Sequence, residues 1–80
     1  MMELIVEAVS DEVKAQFSVT DLKPRARTHK LYRIEAPDEC EHTIQGNHTS
    51  IIGPIDRYVF GDGRILIIDH AWRRRHARVR

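Results

Sequence analysis

Among the side chains able to do chemistry, Cys40 and His42 stand out first, because they lie two residues apart and share one face of any strand that holds them. A thiolate and an imidazole on one face are a zinc-type ligand pair. If Gly46-Asn47 closes a two-residue hairpin, His48 falls opposite Gln45 and on the other face from His42. A tetrahedral site would then need distant ligands such as His70 or His76, and neither a C-x-x-C nor an H-x-x-x-H spacing is present. The sequence therefore predicts no metal and no cofactor. For nucleophilic chemistry Cys40, Ser10, Ser18 and Ser50 are available, but no G-x-S-x-G elbow surrounds any of them. Asp69-His70 sets a carboxylate beside an imidazole, yet neighbours on a strand point to opposite faces. Gly61-Asp62-Gly63 is explained by a turn rather than by a phosphate loop. No catalytic residue is assigned, and the expectation is a non-enzymatic binding domain.

The remaining chemistry is cationic. Residues 1–22 carry five acids against Lys14 alone, and 23–33 carry Lys23, Arg25, Arg27, Lys30 and Arg33 with no acid. Five acids and no base follow in 34–56, and from Arg57 onward seven arginines stand against Asp62 and Asp69. The net charge of +1 conceals this sorting, which is a statement about partners rather than about fold. Trp72, Arg73, Arg74, Arg75, Arg78 and Arg80 place guanidinium groups beside an indole, and Lys23, Arg25, Arg27 and Lys30 form a second cluster near Tyr32. Arginines close to aromatics suit phosphate contacts with base stacking. The first expectation is that these ten residues contact nucleic-acid phosphates. The alternative is a small interaction or inhibitor module, of the kind found in phage or mobile elements, that sets the same arginines against an acidic protein surface.

The elements that must position these groups read mainly as strands. Leu4 to Val9 gives the opening Glu3–Val9 segment strand content. Ser10 before Asp11 and Glu12 is an N-cap signal, so a helix near Ser10–Phe17 is one reading; Val13, Ala15, Phe17 and Val19 also alternate, and that period tips the expectation toward a strand. A further strand is expected over Thr28–Ile34, with Tyr32 and Ile34 inward, then Cys40 to Gln45 and a return at Ser50 to Ile52. Two β-rich runs flank the Asp62-Gly63 turn, which makes Tyr58–Asp69 the clearest hairpin, with Phe60 opposite Ile65 and Tyr58 opposite Ile67. Ile65 to Ile68 is apolar on both faces, the mark of a central strand or of one covered on its second side. The fold class expected is mainly β, a small antiparallel barrel-like or sandwich domain with at most one short helix; the alternative is α+β with a helix near Ser10–Phe17.

The run from Tyr58 to Arg75, a hairpin ending in apolar strand and basic residues, resembles the last strands of RelE/ParE-type toxins. It spans 18 of the 80 residues. The two helices that follow the first strand in that family have no counterpart of that length here, so no activity or residue is carried over.

Eighty residues make one domain, read as a β-rich unit over 1–72 followed by a basic C-terminal tail over 73–80. A lone cysteine forms no internal disulfide, and the early carboxylates Glu3 and Glu7 interrupt the N-terminal apolar run too soon for a signal or a span. The expectations are a cytoplasmic location, no membrane partner and, for so small a core, a possible homodimer.

Overall fold

The computed structural model describes residues 1–23, 30–46, 54–70 and 75–80. In chain order it contains β1 (Met2–Val6), β2 (Ala8–Val9), α1 (Asp11–Gln16), β3 (Ser18–Leu22), β4 (Leu31–Ala36), β5 (Cys40–Gln45), β6 (Ile55–Phe60), β7 (Ile65–Asp69) and β8 (His76–Val79). The protein is mainly β, as its alternating runs demand, and forms a sandwich-like pair of sheets rather than a closed barrel. One sheet has the order β1-β4-β3, the other β2-β8-β7-β6-β5. Among the described residues no helix is long and apolar enough to cross a membrane.

The expected opening strand is divided at Glu7. Before that residue β1 pairs antiparallel with β4; after it β2 pairs parallel with β8, and the backbone N–H of Glu7 donates to the carbonyl of Arg75 at 3.1 Å. The chain thereby passes from one sheet to the other and joins them along one side. The strand favoured for the following residues is a helix instead. Ser10 Oγ accepts from the Val13 backbone N–H at 3.2 Å, and Asp11 and Glu12 sit in the first turn where the helix dipole favours negative charge. Alternation fails at Ala15, which a strand would turn inward with Val13 and Phe17 but which is exposed; Val13 enters the core from the helix and Phe17 from its extended C-cap. Arg64 holds the far end of α1. Its guanidinium donates to the Gln16 carbonyl at 2.5 Å and to Asp62 at 2.7 Å, and it lies 4.5 Å from the Phe17 ring centroid.

A single core lies between the sheets, built from Val6 and Ile34 on one side and Tyr58, Phe60, Leu66, Ile68 and Ala77 on the other, with Val13 and Phe17 between them. Tyr32 and Ile34 face inward as expected. The hairpin is present, but its register is one residue from the expected one: Val59 opposes Ile65, Tyr58 opposes Leu66 and Arg57 opposes Ile67. The cause is a three-residue loop. The Gly63 N–H donates to the Phe60 carbonyl, the Phe60 N–H to the Arg64 carbonyl, and Gly63 takes φ +93°, a left-handed conformation in which a side chain is strained.

One further expectation changes and another reaches outside the described residues. Asn47 of the expected Gly46-Asn47 turn belongs to the latter; β5 pairs along its whole length with β6, from Cys40 opposite Phe60 to Gln45 opposite Ile55. The expected return at 50–52 lies outside the described residues. Residues 76–79, grouped with a basic tail in the sequence reading, form β8, antiparallel to β7 and with Ala77 buried. Alternation explains it: Ala77 and Val79 face the sandwich while Arg78 and Arg80 leave it.

Candidate anion-binding face

The inner face of the larger sheet is consumed by the core, so its outer face decides what the arginines can reach. Along that face the register sets Thr43, Arg57, Ile67 and Arg78 in one row across β5, β6, β7 and β8. Ile67 is buried at the centre of the row, flanked by Arg57 and Arg78. With Gln45, Ile55 and Arg80 these residues line a shallow groove of roughly 240 Å³ that has an aliphatic floor and guanidinium groups at its sides. Among the described residues no aspartate or glutamate lines it.

The three arginines are not equally engaged. Arg78 reaches Asp69, on the adjoining row, at 3.5 Å, a partly exposed pair of small energetic weight. Arg57 is half-buried, and its Nε is shut away from solvent with no hydrogen-bond partner among the described residues. A buried N–H of this kind costs free energy until an acceptor is supplied. Arg80 is exposed, and among the described residues neither it nor Arg57 is held by a carboxylate. Glu41, one row away at the other end of β5, is the remaining acid of β5 on this face. The arrangement can hold an anion through bidentate guanidinium hydrogen bonds while an apolar surface lies against the floor.

The other basic positions named from sequence are distributed elsewhere. Lys23 is exposed just after β3. Lys30 precedes β4 and is committed locally: it bonds Asp21 at 3.0 Å and lies 5.4 Å from the Tyr32 centroid, with Lys14 approaching the same ring. The hydrogen bond to Asp21 and its charge raise the Lys30 pKa above the ordinary lysine value. Arg75 is exposed ahead of β8 and borders a separate depression with Ile5, Glu7 and Leu31. Arg25, Arg27, Trp72, Arg73 and Arg74 lie outside the described residues. Of the ten positions, then, Arg78 and Arg80 are brought together, and Arg57 joins them although the sequence reading did not assign it. A correct hairpin register would have placed Arg57 opposite Ile67 and on the outer row.

A second cluster sits at the end of the inner face. Asp56 of β6 accepts from His42 Nε2 of β5 at 2.9 Å through one oxygen and from His70 Nε2, just past β7, through the other. Because an ionised carboxylate only accepts, both neutral rings must carry the proton on Nε2. Tyr58 stacks on His42 with centroids 4.2 Å apart and planes within 6°. Partial burial works against ionisation of Asp56, but the hydrogen bonds and charge of His70 and His42 outweigh it, and the carboxyl lies below its ordinary value. Burial, followed by the nearby Asp56 charge, raises the Tyr58 hydroxyl. His70, one of the distant histidines considered as a further metal ligand, thus meets His42 through a carboxylate. Among the described residues no group of three or more histidine, cysteine or acidic side chains is arranged to hold a metal ion. Each atom of the cluster that faces the carboxylate is satisfied, so the arrangement acts as a tie between β5, β6 and the end of β7, reinforced by the His70 N–H donating to the Pro54 carbonyl at 3.1 Å.

Both the groove and the tie rest on this geometry alone: comparison of the chain with protein-family models, with curated proteins and with solved structures finds no match.

Proposed function

We propose that this chain is a non-enzymatic module that binds nucleic-acid phosphates on the open face of its larger sheet, with Arg57, Arg78 and Arg80 as the contacting groups. The observation that supports the reading is the row of Arg57, Ile67 and Arg78 with Arg80 beside it, a set of cations around an apolar strip with no aspartate or glutamate in the lining among the described residues. Guanidinium forks match phosphate oxygens, and three of them line one groove. The aliphatic floor of Ile55 and Ile67 offers a base or sugar a desolvated surface.

Three phosphate contacts give a definite salt dependence. The slope of log affinity against log salt is about −2.7 for duplex DNA or about −2 for a single strand. Affinity for the duplex then falls roughly 40-fold between about 50 and about 200 mM salt, and for the strand roughly 20-fold. The experiment is fluorescence anisotropy of labelled single-stranded and duplex oligonucleotides against the wild type and against Arg57→Gln, Arg78→Gln and Arg80→Gln. Each substitution should weaken binding for all sequences alike and reduce the slope by about 1. Binding that is absent at low salt, or indifferent to all three substitutions, overturns the proposal. The reading in which the arginines meet an acidic protein surface predicts instead a stoichiometric partner that survives nuclease treatment in a pull-down.

A further inference from the structure

β5 closes one side of the larger sheet: it pairs with β6 and, among the described residues, with no strand on its other side. Residues 41–45 are exposed, and Ile44 is 67 % exposed although it sits on the inward-facing set with His42. The strand has neither proline nor lysine, and Glu41 is its single acidic or basic side chain apart from His42. Its sequence is self-complementary. When two copies run antiparallel with Thr43 opposite Thr43, each Ile44 meets the His42 of the other copy and each Glu41 meets a Gln45. No like charges oppose one another, and threonine pairs are favourable across strands. Slipping by one pair toward the N-terminus would set His42 against His42 instead.

We propose that a second copy of this chain adds to β5, antiparallel and centred on Thr43, to give one continuous ten-stranded sheet. Strand alternation keeps each residue on its own face, so the two grooves open on the same side. Gln45, at the β5 border of the groove, then stands beside the joint, and the partner's Arg57 lies three strand spacings, about 14 Å, from the first. The self-association does not depend on the phosphate-binding reading. Its consequence, a cationic strip extended across both copies, does.

The test is sedimentation equilibrium of the full chain in nucleic-acid-free buffer from about 10 μM to about 1 mM, a range that suits the weak dimer expected of one strand pair. Ile44→Lys and Thr43→Glu keep favourable neighbours within their own chain, Asp56 and Arg57 respectively, while setting charge against the partner strand. Wild type should rise from monomer to dimer mass, and each variant should dissociate at least about 10-fold more readily with unchanged circular dichroism. A wild type that stays monomeric throughout overturns the proposal, as does association of both variants equal to wild type. A dimer that forms but binds no oligonucleotide would instead remove only the phosphate-binding reading.

Discussion

Leu66 and Ile67 are adjacent aliphatic residues on β7 that lie on opposite faces, and comparing their truncation measures which face is the core. Leu66 is fully buried among Val6, Ile34 and Tyr58 in the shared cluster, whereas Ile67 forms the groove floor and is not a member of it. Either change to alanine removes three carbons, about 2.4 kcal/mol of transfer free energy at about 0.8 kcal/mol each. At Leu66 a cavity is added, because strands from both sheets hold the walls apart, and the total should reach about 3–5 kcal/mol. At Ile67 the aliphatic stems of Arg57 and Arg78 can settle into the space, and the cost should stay near 2 kcal/mol. A domain of 80 residues has only about 4–12 kcal/mol of stability, so Leu66→Ala brings the fold close to its limit. Urea titration followed by circular dichroism gives both values. With m near 1 kcal/mol/M for so small a chain, the midpoints of the two variants should differ by at least about 1 M. An Ile67→Ala cost equal to or above that of Leu66→Ala would refute the assignment of faces, and with it the groove.

Other consequences follow from single contacts. Asp56 has a depressed folded-state pKa, so its contribution to stability is present above the ordinary carboxylate value near 3.9 and is lost as pH falls through the lower folded value. Asp56→Asn should flatten that acid limb of an equilibrium-unfolding profile and cost about 1–3 kcal/mol at neutral pH, since the amide can accept from one imidazole only. Long-range nitrogen–proton NMR of the imidazoles should find His42 and His70 both in the Nε2–H tautomer near pH 8; an Nδ1–H ring at either position would exclude the tie. Gly63→Ala forces a side chain into φ +93° and should destabilise by about 1 kcal/mol in the same urea assay, with no change at the neighbouring glycine Gly61→Ala beyond a few tenths.

How far the sequence reveals this architecture depends on how local the determining interaction is. The hairpin around Asp62-Gly63 is legible because its turn chemistry sits in three consecutive residues, yet those same residues hide whether two or three form the loop. In the two-residue reading Arg57 opposes Ile68 and drops out of the site, whereas in the observed register it opposes Ile67 and joins it. Ser10 to Phe17 satisfies two periods at once, and the choice is made by distant partners: Arg64 and the Phe17–Phe60 contact, with centroids 5.3 Å apart, reward the helix. The pairing of β5 with β6 spans an intervening segment and cannot be read from the Gly46-Asn47 signal, which by itself looks sufficient. Arg78 and Arg80 are legible as cations but not as strand residues, because a dense basic run masks the alternation with Ala77 and Val79. The His42, Asp56 and His70 cluster joins three elements and leaves no spacing signature at all.

The central claim is that anions enter the groove on the outer face of the larger sheet, and the guanidinium groups report on it directly. Titrating the nitrogen-15-labelled protein with a short single-stranded oligonucleotide, and following the arginine Nε–Hε resonances, separates the candidate contacts from one another. The account predicts movement of Arg57, Arg78 and Arg80 in parallel, reversed by added salt. Arg64, committed to Asp62 and the end of α1, should stay in place. Oligonucleotide binding that leaves those three resonances unmoved while shifting Arg33 or Arg75 would contradict the account.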